Sequence, residues 1–154
     1  FSDAGAHVRN MAFYNFPLYL LRMVKDTAAA GNPCMSLEKA IHKLTGEQAD
    51  WFGVDAGHLR PGVRADVVVV NPAGLDASID DIHEAPMALL GGTPRMVRRN
   101  DRAVTATFIG GDLVFERGSF SPGYGTTRRT GMFLGANGAT SVPVAPPAQE
   151  EKAA

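Results

Sequence analysis

At 154 residues the chain is long enough for one modest domain with a real core. A formal net charge of −1 creates no global field for nucleic acid or an anionic membrane, and neither partner is expected. A single cysteine, Cys34, excludes an internal disulfide framework and fits a reducing, cytoplasmic compartment; the opening residues have no signal-peptide pattern, and the longest apolar run, Phe16 to Val24, is broken by Pro17, Tyr19 and Arg22.

The densest chemistry comes first, in Ser2-Asp3-Ala4-Gly5-Ala6-His7-Val8. Small residues let the backbone bend sharply around a carboxylate and an imidazole. A carboxylate so held can bind a metal or take a proton from water. Phe1 reads as the end of a strand, and a chain starting on Phe rather than Met is expected to be a processed product or a fragment of a longer reading frame. Pro17 suits the first turn of a helix whose stripe is Leu18, Leu21, Met23 and Val24, ending before Gly31-Asn32-Pro33. Phe13, Tyr14, Phe16 and Tyr19 pack that helix or line a substrate entrance. Ser36 is an N-cap for a short helix with Leu37, Ala40, Ile41 and Leu44 on one face. Thr45-Gly46-Glu47-Gln48 has the form of a capping box for a further helix closed by Gly53.

The character of the chain then changes. Leu59-Arg60-Pro61-Gly62 is a turn, and Val67 to Val70 predict a strand buried on both faces. Residues 73–95 look irregular. Val104 to Ile109 and Leu113 to Glu116 predict a hairpin whose tight turn is Gly110-Gly111 or Gly111-Asp112, where glycine supplies positive φ. The Gly/Ser/Pro-rich end, 135–154, is expected to be disordered or to wrap loosely.

This order of parts resembles the amidohydrolase superfamily, and most of all its D-aminoacylase (N-acyl-D-amino-acid deacylase) branch. The resemblance rests on Ser2 to His7, on Ser36 to Ala40 with Leu44 to Ala49, on Gly57 to Gly62 with Ala65 to Val69, and on Val104 to Gly118. It implies an α/β fold: the C-terminal end of a (β/α)8 metal-dependent hydrolase barrel, with the end of its last strand and following helices in 1–56, then part of a small β-sandwich domain in 57–134. It implies a zinc ion, or another divalent metal, in the parent enzyme. It implies hydrolysis of the non-peptide C–N bond of an N-acyl amino acid, the expected substrates being N-acyl-D-amino acids, with metal-activated water. By this resemblance Asp3 is the catalytic general base and acid, and a candidate metal ligand. His7 would touch substrate or support Asp3 from behind.

The family's other metal ligands come from strands absent here. Cys34, His42, His58 and the pair His83-Glu84 form no set with zinc-site spacing, so no metal is expected on this chain alone, and the isolated chain is expected to be inactive. Its partners are a small-molecule amide and the upstream N-terminal barrel segment. The alternatives are a catalytically silent structural module needing that segment, or a cyclic amidase or dipeptidase of the same superfamily. Arg95, Arg98, Arg99 and Arg102 are interleaved with Met96, Val97, Asn100 and Asp101, and they suit a solvated strand edge better than a nucleic-acid surface.

Overall fold

A computed structural model describes residues 15–87, 91–98 and 100–136. Among these residues three helices come first: α1 (Phe16–Ala29), α2 (Leu37–Leu44) and α3 (Gly46–Phe52). Pro17 sits in the first turn of α1, where its missing N–H costs no helical bond. Ser36 caps α2 by accepting a bond from the Lys39 N–H at 3.2 Å. Thr45 does not build the expected capping box. Its hydroxyl donates back to the Ile41 carbonyl at 2.8 Å, and Glu47 instead takes Lys43 at 2.8 Å. Thr45 closes α2 as well as opening α3, and the carbonyl of the preceding turn captures its side chain.

Six strands follow among the described residues: β1 (Val67–Val70), β2 (His83–Met87), β3 (Thr93–Val97), β4 (Val104–Ile109), β5 (Asp112–Glu116) and β6 (Ser119–Phe120). One sheet has the order β1-β4-β5-β6, and β2 and β3 form a separate ribbon. Every one of these pairings is antiparallel. The β4–β5 turn has Gly110 at φ 60° and Gly111 at φ 87°, the two positive values that a primed hairpin turn requires. Asp66 braces this turn: its carboxylate accepts from the Gly110 N–H at 2.7 Å and from Arg64 at 2.8 Å.

Helices and strands share one core. Leu18, Leu21 and Val24 of α1 meet Ala40 of α2, then Leu75, Ile79 and Ala103 from the second half. Ile79, on a 3₁₀ turn at Ala77–Asp80, is 0% exposed, and burying such a side chain stabilises the fold by about 1.5–3 kcal/mol. The turn before it, Pro72–Gly74, presses on the chain at Arg102. A Cβ on Gly74 would lie 2.1 Å from the Arg102 carbonyl oxygen, so only glycine fits there.

The barrel expectation is overturned by this topology. A (β/α)8 barrel alternates parallel strands with helices. Here, among the described residues, the helices come first and the sheets that follow are wholly antiparallel, making a small, mostly sheet domain with short helices. Two local expectations also change. Val68 is 54% exposed, so β1 is not buried on both faces. A run of valines reports preference for the extended backbone, not what covers it. The stretch read as irregular contains the β2–β3 ribbon, in which Pro86 stands opposite Pro94. Both strands of a ribbon are edges, the place where proline is tolerated.

Candidate functional site

Asp3 and His7 lie outside the described residues, as does the strand end expected at Phe1 to Asp3. The other sequence candidates are spread apart. Cys34 is exposed in the α1–α2 loop, its sulfur accepting a bond from Thr27 at 3.4 Å. His42 lies on the exposed side of α2, and His83 and Glu84 stand on β2. His58 shares a 2.8 Å hydrogen bond with Asp50 of α3, an acidic partner rather than a nucleophile. Among the described residues no group of three or more His, Cys, Asp or Glu could hold a metal ion. These residues therefore do not fit the zinc expected of the parent enzyme.

The arginine group is also dispersed. Arg98 donates to the Tyr19 oxygen at 2.6 Å and to the Ile79 carbonyl at 3.1 Å, and its guanidinium lies 5.5 Å from the Tyr19 ring centre. Arg102 pairs with Asp76 at 3.1 Å. Tyr19 donates its hydroxyl proton to Asp80, which also accepts from Arg22 at 2.9 Å. These bonds hold the Asp80 carboxyl below the usual carboxylate range, the Tyr19 bond first and Arg22 next. The same bond to Asp80 raises the Tyr19 phenol, with burial adding to the effect. Tyr19, named from the sequence as a packing or entrance residue, thus clamps α1 to the 3₁₀ turn beneath it.

One concavity is a groove of about 1080 Å³. Its walls come from α1, α2, the turn after α3, and β1, through Leu21, Leu37, Ile41, Leu59, Val68 and Val70. Polar groups are sparse there: Ser36, Thr45, His58, Asp66 and Lys25, which donates to the Leu75 carbonyl. Such a lining suits contact with apolar groups. Sequence reasoning missed it because its walls are distant in the chain. The signals that could have found it were Leu59, a large apolar residue beside a turn, and the uncharged valine run.

No family model matches the chain, and no solved structure matches it. Curated relatives do: an uncharacterized protein of Mycobacterium bovis and two of Mycobacterium tuberculosis strains, each 51% identical over 138 residues. The match covers 87% of this chain but 23% of each relative. The chain thus spans about a quarter of the length of the curated relatives it matches. Among the described residues no helix is long and apolar enough to cross a membrane.

Proposed function

We propose that this chain is part of a metal-dependent amidohydrolase that cleaves the non-peptide C–N bond of N-acyl amino acids, with N-acyl-D-amino acids as the first substrates to try. The observation that carries the reading is the Ser2 to His7 motif, followed in order by the segments that resemble the D-aminoacylase branch. Supporting it, two of those segments are neighbours in space: Val67 to Val69 pair with β4, and Asp66 braces the β4–β5 turn.

The proton transfers belong to Asp3. Its carboxylate takes a proton from water as the water oxygen bonds to the amide carbonyl carbon. The tetrahedral intermediate then collapses, the C–N bond breaks, and Asp3 returns the proton to the departing amine nitrogen. The products are a carboxylate and a free amino acid. His7, four residues on, contacts the substrate or fixes the Asp3 carboxylate. The divalent metal expected with this chemistry is assigned to none of the described residues, whose donor groups do not fit one.

The test is Asp3→Asn in the longer polypeptide, with release of free amine from N-acetyl-D-amino acids as the readout. Turnover falls by about 10²–10⁴ while the thermal midpoint stays put. Near-normal turnover would sink the assignment. The open apolar groove favours a second reading, in which the chain is a chemically silent scaffold; under it, Asp3→Asn leaves turnover unchanged.

A further inference from the structure

We draw no further inference here: the strongest candidate, the apolar groove between α1, α2 and β1, carries nothing because nothing among the described residues shows what covers it.

Discussion

The two sides of α1 differ. On one side Leu18 and Val24 press on Ile79, Leu75 and Ala103, and the fit is close enough that Gly74 has no room for a Cβ. Toward α2 and β1 the same helix borders a groove that Leu18, Val24 and Leu75 also line, and whose outer walls, Leu37, Ile41, Leu59 and Val68, stay exposed. The same helix and similar residues therefore make a finished core and an unfinished one. The difference lies in the partners. The segment from Pro72 to Asp80 folds back under α1, and among the described residues nothing crosses the groove in the same way.

The sharpest way to break this comparison is to delete equivalent bulk on each side. Ile79→Ala removes a fully buried side chain and leaves a cavity, which costs about 2–5 kcal/mol in urea unfolding. Val68→Ala, measured in these 154 residues by themselves, stays within about 0.5 kcal/mol because that side chain is half in water. Equal losses would mean that the outer face is already filled, and the contrast would be gone.

A smaller effect separates α2 from the groove it lines. Ser36→Ala removes the acceptor for the Lys39 N–H and should cost about 1 kcal/mol, seen as a lower unfolding midpoint. Ser36→Asp should retain most of the stability, because its carboxylate can accept the same bond and favours the helix N-terminus. Loss in both variants would place the role of Ser36 in the groove wall and not in the cap.

These elements were legible to different degrees. The helix starts at Pro17 and Ser36 and a glycine-centred hairpin between β4 and β5 could be read directly, because caps, periodicity and positive φ are local. The exposure of β1 could not be read, since four valines suit a covered or an uncovered edge equally. The β2–β3 ribbon was hidden because Pro86 and Pro94 argue against strands unless both strands are known to be edges. Pairings over long separations, such as Tyr19 with Asp80 across 61 residues, leave no trace in spacing. The site divides likewise: Asp3 and His7 form a compact motif visible in sequence, whereas the groove is assembled from α1, α2, Leu59 and β1.

The finest probe of the closed side is its pH dependence. Asp80 is held below the ordinary carboxylate range by Tyr19 and then Arg22. A depressed folded-state value means that its stabilising contribution is present above the unfolded pKa and is lost as pH falls through the folded one. Tyr19 is raised, so its contribution is present below the ordinary phenol range and is lost as pH rises through the folded value. Urea midpoints followed across acid and alkaline pH should therefore decline at both ends. Tyr19→Phe should flatten the alkaline decline and weaken the acid one, which Arg22 still sustains at 2.9 Å from Asp80. The change will be small, because Asp80 is solvent-exposed and screened. Identical profiles in the two proteins would show that the bond from Tyr19 to Asp80 adds nothing, and that apolar contact alone holds α1 on its closed side.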